Sequence, residues 1–201
     1  MNARRILELG GIVAGIVMIA FGVGAIYMGL DGRGTVRDSI KQEQIFFGSA
    51  TDDEAVAKHA SQWSEEQVLT GDQARAFALI LREHALGLSD GLTYAEMGRF
   101  VSASSPDSPK GTSDPEAALK DDEGNPVPNA ARNTWVTATA LSTALNMSYM
   151  AEQTALFGLV VGVALLLSGI GFIILALAVL GGAFRRREAT KPVAAKVPVA
   201  A

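Results

Sequence analysis

The chain has 201 residues, of which 49% are apolar, 6% aromatic and 19% charged, with a net charge of −4 and no cysteine. A soluble domain carries about 25% charged residues, and here the shortfall is concentrated in two long uncharged stretches. This excludes a plain soluble enzyme, a disordered chain and a disulfide-stapled secreted mini-protein, and points to a membrane protein with a small polar domain.

The first uncharged stretch is Leu9–Leu30, 22 residues whose only ionisable group is the phenol of Tyr27. A helix needs about 20 residues to cross the hydrocarbon core, so 9–30 is predicted as transmembrane helix 1. The run is longer than the roughly 7–15 apolar residues of a signal peptide, which favours an uncleaved signal anchor over a cleaved leader. Residues 153–184 are uncharged for 32 positions and are predicted as transmembrane helix 2, either tilted or with its first turns above the hydrocarbon. Arg4 and Arg5 precede the first span, and Arg185, Arg186 and Arg187 follow the second. By the positive-inside rule both termini (1–8 and 185–201) face the cytoplasm and 31–152 lies outside. Charge agrees with that division: residues 31–152 hold 10 Lys+Arg against 19 Asp+Glu, and the remainder holds 7 against 2.

Glycines mark one face of each span. Gly11, Gly15, Gly22 and Gly29 are spaced 4, 7 and 7, and Gly158, Gly162, Gly169 and Ala176 repeat those steps. At about 100° per residue each set falls on one narrow stripe. Small residues let backbones approach in lipid, where no hydrophobic drive separates helix from tail. The expectation is two antiparallel helices packed through these stripes. The alternatives are that one stripe meets a second copy or another protein, or that the spacing is incidental. Neither span carries Asp, Glu, Lys, Arg or His at its centre, which argues against ion conduction by this chain alone.

Asp31-Gly32-Arg33-Gly34 reads as a flexible joint, and Thr35 with Asp38 has capping-box spacing for a short helix from Val36 to about Gln44. Ile45-Phe46-Phe47 is an apolar cluster, 48–69 is acidic and weakly periodic, and Trp63 is the expected plug of a small core. Thr70 and Gln73 form a second capping box before Ala74, Phe77, Ala78, Leu81, Ala85 and Leu88, an amphipathic helix. Thr93 and Glu96 suggest a third, opening a short helix to Val101. Five prolines within 102–128 predict a long solvated loop. From about Asn129 nothing breaks a helix until Gly181-Gly182, so one helix of about 50 residues is expected. Its residues Trp135, Ala138, Ser142, Leu145, Tyr149 and Leu156 form one stripe, and Val136, Ala140, Met147 and Ala151 another. The fold class is therefore all-α, two transmembrane helices continuing into a small extracytoplasmic helical bundle, with 185–201 as a disordered tail.

Chemistry is sparse. His59 and His84 are the only histidines, they lack i, i+4 spacing, and no third soft ligand accompanies them, so no metal site is expected. Asp121-Asp122-Glu123-Gly124-Asn125 fails the EF-hand pattern, having Pro126 and Arg132 where that loop needs Gly and Glu. No nucleophile elbow or phosphate loop is present, and an acidic domain disfavours nucleic acid.

The segment Leu79-Ile80-Leu81-Arg82-Glu83-His84-Ala85-Leu86, followed by Gly91-Leu92-Thr93-Tyr94-Ala95-Glu96-Met97, resembles a family of two-span actinobacterial membrane proteins. The likeness covers most of the chain outside 48–68, 102–128 and the tail. Members are often labelled aromatic ring-opening dioxygenases, a chemistry that needs iron held by two histidines and a carboxylate. The resemblance carries over no site residues. His84, Tyr94 and Trp135 are the candidate ligand or partner contacts, with His84 and Tyr94 flanking a tight turn. The expected role is non-catalytic, without cofactor: an accessory or scaffold subunit of the cell envelope, in contact with the bilayer and with a membrane-protein partner or a second copy. The alternative is an extracytoplasmic small-ligand sensor acting through a partner.

Overall fold

A computed structural model describes residues 3–181. Among them the chain is helical, with no strand. Helix α1 runs Ala3–Gln42, α2 Glu54–Ala60, α3 Gly71–Leu88 and α4 Ala130–Leu175. A 3-10 turn, Ser61–Trp63, follows α2, and a π-helical stretch, Ala176–Gly181, follows α4. The expected tail, 185–201, and the arginines Arg185, Arg186 and Arg187 lie outside the described residues. Two compact units divide the chain, Met1–Asp31 with Ala155–Ala201, and Gly32–Thr154.

In the first unit α1 and α4 are long and apolar enough to cross a membrane. Phe21, Met28, Phe157 and Leu167 are exposed along them. Leucine, isoleucine and phenylalanine in that density on an open surface suit a lipid solvent, where apolar side chains need no cover. Contacts between the helices run Gly11 with Ala176, Gly15 with Gly169, Gly22 with Gly162 and Gly29 with Ala155.

The second unit has a core of Ile40, Phe47, Val56, Val68, Ile80 and Leu145. Phe47 stacks on Trp63 with centroids 6.0 Å apart and meets Phe77 edge-on at 5.7 Å. Helix α3 starts as its sequence requires. The Thr70 hydroxyl accepts from the Gln73 N–H, and Gln73 Oε1 accepts from the Thr70 N–H. Ala74, Ala76, Ala78 and Ile80 are all buried, so α3 is covered on more than the single face its periodicity suggests.

Three local expectations change. The joint at 31–34 is helical, part of an unbroken α1, and Thr35 caps nothing. Two helical glycines cost about 1 kcal/mol each, and Arg33 and Arg37, from the same turns of α1, bind Glu152. The helix expected after Thr93 is a set of turns: the Glu96 carboxylate takes both the Thr93 N–H and hydroxyl, at 2.8 and 2.7 Å, but the Glu96 N–H bonds the Thr93 carbonyl rather than its hydroxyl, so the capping box is not completed. Within the acidic stretch 48–69, Asp53 caps α2 by accepting from Ala55 and Val56.

Segment 102–128 is built from paired backbone rather than free loop. Phe100 and Thr112 exchange N–H···O bonds of 2.9 and 2.8 Å, the Val101 N–H reaches the Val127 carbonyl, and the Val127 N–H reaches Leu119. Asn129 closes it. Its amide donates to the Gly98 and Pro109 carbonyls while its Oδ1 accepts from Ala131 and Arg132, opening α4.

Candidate interaction sites

The glycine stripes of the first unit are close backbone contacts. A Cβ built on Gly15 would lie 2.7 Å from the Gly169 carbonyl oxygen, and one on Gly22 would lie 2.7 Å from that of Gly162. On Gly29 it would lie 2.8 Å from the Ala155 oxygen, and on Gly11 3.1 Å from the Ala176 Cβ. Real Cβ atoms do not approach oxygens so closely, so the helices would have to part. Gly158 is looser, with 3.9 Å to the Ala25 oxygen, and the off-stripe Gly10, Gly24 and Gly171 have nothing within 4 Å.

The second unit holds a charge cluster that no sequence motif announces. Glu152, 5% exposed, accepts from Arg33 Nε at 2.9 Å, from Arg37 at 2.7 Å and from the Gly71 N–H at 2.6 Å. Burial pushes its carboxyl up, but the Gly71 N–H and the two guanidinium groups outweigh that and leave it below the usual carboxylate range. The Gly71 N–H is one of the orphan donors at the start of α3. A single carboxylate thus joins α1, α3 and α4. The only sequence signal was that Glu152 is the first charge after Arg132.

The histidines go to different carboxylates. His59 Nε2 lies 2.7 Å from Glu83 Oε2, whose other oxygen takes Lys58 Nζ at 2.9 Å. Those two bonds hold Glu83 below its ordinary value. His84 Nε2 lies 3.1 Å from Asp53 Oδ2. Desolvation raises the Asp53 carboxyl, yet His84 and the Val56 and Ala55 N–H groups bring it down overall. Among the described residues no three His, Asp or Glu side chains converge. The donor set does not fit the two-histidine, one-carboxylate iron site of a ring-opening dioxygenase.

His84, Tyr94 and Trp135 have separate surroundings. Tyr94 carries the Arg132 guanidinium 3.9 Å from its ring centroid. Trp135 is buried with Ala85 and Met97 and lines a hollow of about 210 Å³ with Arg82 and Ser142. His84 lines another, of about 390 Å³, with Leu88 and Asn133. A larger apolar cavity of about 470 Å³ lies between Ile40, Ile45, Phe77, Leu81 and Leu145, with Ser39 and Glu43 among its polar groups. No family model, curated protein or solved structure matches this chain.

Proposed function

We propose that the chain is a non-catalytic integral membrane protein of the cell envelope, an accessory or scaffold subunit of the actinobacterial two-span type. Its two apolar helices pack antiparallel through the glycine faces, both termini are cytoplasmic, and 31–152 is extracytoplasmic. One observation carries the scaffold reading. Within the unit 32–154, α4 presents exposed Val136, Leu141, Met147 and Met150, with no charged residue between Arg132 and Glu152. An apolar surface of that extent on a domain in water marks a contact with another macromolecule.

Purification in mild detergent through a tag on the C-terminal tail tests this. A stoichiometric co-eluting protein or a defined self-oligomer is the expected result, and a lone monomer overturns it. The cavity of about 470 Å³ favours the second reading, a small-ligand sensor, because its size and apolar walls match sites between bundled helices. Leu145→Phe would fill it and abolish any ligand-induced thermal shift while leaving the co-elution intact.

A further inference from the structure

The cavity of about 470 Å³ in the second unit has a floor and a rim of different character. Ile40 and Leu145 are buried at its floor, with Ile45, Phe77 and Leu81 half-buried around them. Ser39, Glu43, Leu141 and Ala144 line the same space from exposed positions. A molecule that enters sets an apolar body on the floor and keeps its polar end at the rim, where water still reaches it.

What that polar end must carry follows from the side chains on offer. The Ser39 hydroxyl donates to the Thr35 carbonyl at 2.9 Å, and the Ser148 hydroxyl to the Ala144 carbonyl at 3.2 Å. A hydroxyl has one proton, so both serines turn only lone pairs to the cavity. The third polar side chain, Glu43, is the one charged residue of the lining. Its carboxylate has no hydrogen-bond or ion-pair partner among the described residues, and an ionised carboxylate accepts without donating. The polar side chains around the cavity are therefore acceptors alone.

The end of α1 adds to the same sign. The Glu43 N–H bonds the Ile40 carbonyl at 3.2 Å and the Gln44 N–H bonds the Lys41 carbonyl at 3.3 Å, which closes the helix at the cavity rim. The negative end of a helix favours a cation within about one turn. Lys41 belongs to that turn but does not line the cavity. The hollows beside Trp135 and His84 are different, since Arg82 and Asn146 line the one and His84 and Asn133 the other, all side chains that can donate.

We infer that the cavity takes a cationic amphiphile, a molecule with an apolar body and a terminal ammonium group that the Glu43 carboxylate receives. This rests on the ligand-sensor reading of the cavity and names the chemical class of its ligand. A carboxylate ligand sets like charge against Glu43, and a neutral alcohol leaves that charge unmatched.

The full-length protein in phosphatidylcholine nanodiscs, titrated with decylammonium, decanoate and decanol, tests this. The three share a chain and differ in the head, and uptake by empty discs is subtracted. Decylammonium should bind about fivefold more tightly than either of the others, the scale of one partly exposed ion pair. Glu43→Gln should erase the preference with unchanged helical content. Asp38→Asn, which removes an exposed carboxylate of α1 outside the lining, should keep it. Ala144→Phe, which fills the space from an exposed position, should abolish saturable binding of all three.

A preference that survives Glu43→Gln, or that Asp38→Asn erases equally, overturns the inference. So does decanoate or decanol binding as tightly as decylammonium. In those cases saturable binding still leaves the cavity a ligand site, and only the class of ligand falls. If none of the three saturates, or if Ala144→Phe binds them unchanged, the sensor reading falls and the inference with it.

Discussion

Glu152 shows how much one side chain can determine. It is nearly buried, it receives two arginines that are about a third exposed, and it takes an N–H from the first turn of α3. Removing one partner of such a group costs more than the group contributes net, because donors are left facing one another without an acceptor. Glu152→Gln should lower stability by about 2–3 kcal/mol, read as a fall in the melting midpoint in detergent. Glu83→Gln, whose carboxylate is about a third exposed and keeps an oxygen to accept from Lys58, should lower the midpoint by much less. Asp53, Glu83, Glu96 and Glu152 all hold their protons less readily when folded. The unfolded chain then binds more protons in acid, so stability is complete above the ordinary carboxylate values and is lost as pH falls through the lowered folded ones. The midpoint should be level from pH 7 to about 5 and drop below about 4, with a shallower drop in Glu152→Gln.

At the scale of elements, close approach and capping decide. A Cβ on Gly22 would lie 2.7 Å from both the Gly162 oxygen and the Leu166 nitrogen, whereas one on Gly24 would meet open space. Gly22→Leu should cost about 1–3 kcal/mol through forced separation of the helices. Gly24→Ala should leave stability equal or slightly raised, since alanine is the better helix former. The pair separates a packing face from a general tolerance of glycine. Asn129 offers a second test, because one side chain both caps α4 and holds segment 102–128. Asn129→Asp keeps the cap but sets a carboxylate oxygen against the Gly98 and Pro109 carbonyls. Stability should fall by about 1–3 kcal/mol, and limited proteolysis should cut first within 102–128.

For the whole molecule the proposed topology makes a plain prediction. A cysteine at Lys110 should react with an impermeant reagent on intact cells, and one at Lys196 should react only after permeabilisation. The reverse pattern would invert the membrane reading. The apolar surfaces of α1 and α4 in the first unit and the uncharged face of α4 in the second call for different covers. Lipid suits the first, and contact with another macromolecule suits the second, whose exposed Val136, Leu141, Met147 and Met150 stand on a domain proposed to face water.

Properties set by neighbours in the chain were legible from the residues alone. The absence of charge over 9–30 and 153–184 implies long apolar helices, Thr70 with Gln73 implies the start of α3, and the lack of a breaker after Asn129 implies the length of α4. Each depends on hydropathy or on donors and acceptors within a turn of one another. Only tertiary structure could decide the rest. That Arg33 and Arg37, beside Gly32 and Gly34 in an unbroken α1, bind Glu152 more than a hundred residues away is a tertiary fact that local spacing does not carry. Whether 102–128 is loose depends on backbone pairs that its prolines leave free, and on Asn129. Whether His84 and Tyr94 meet depends on competing partners, Asp53 and Arg132, that local spacing does not reveal. A buried charge or a shared pocket is a property of distant residues brought together, and one chain's periodicity carries no record of its partner.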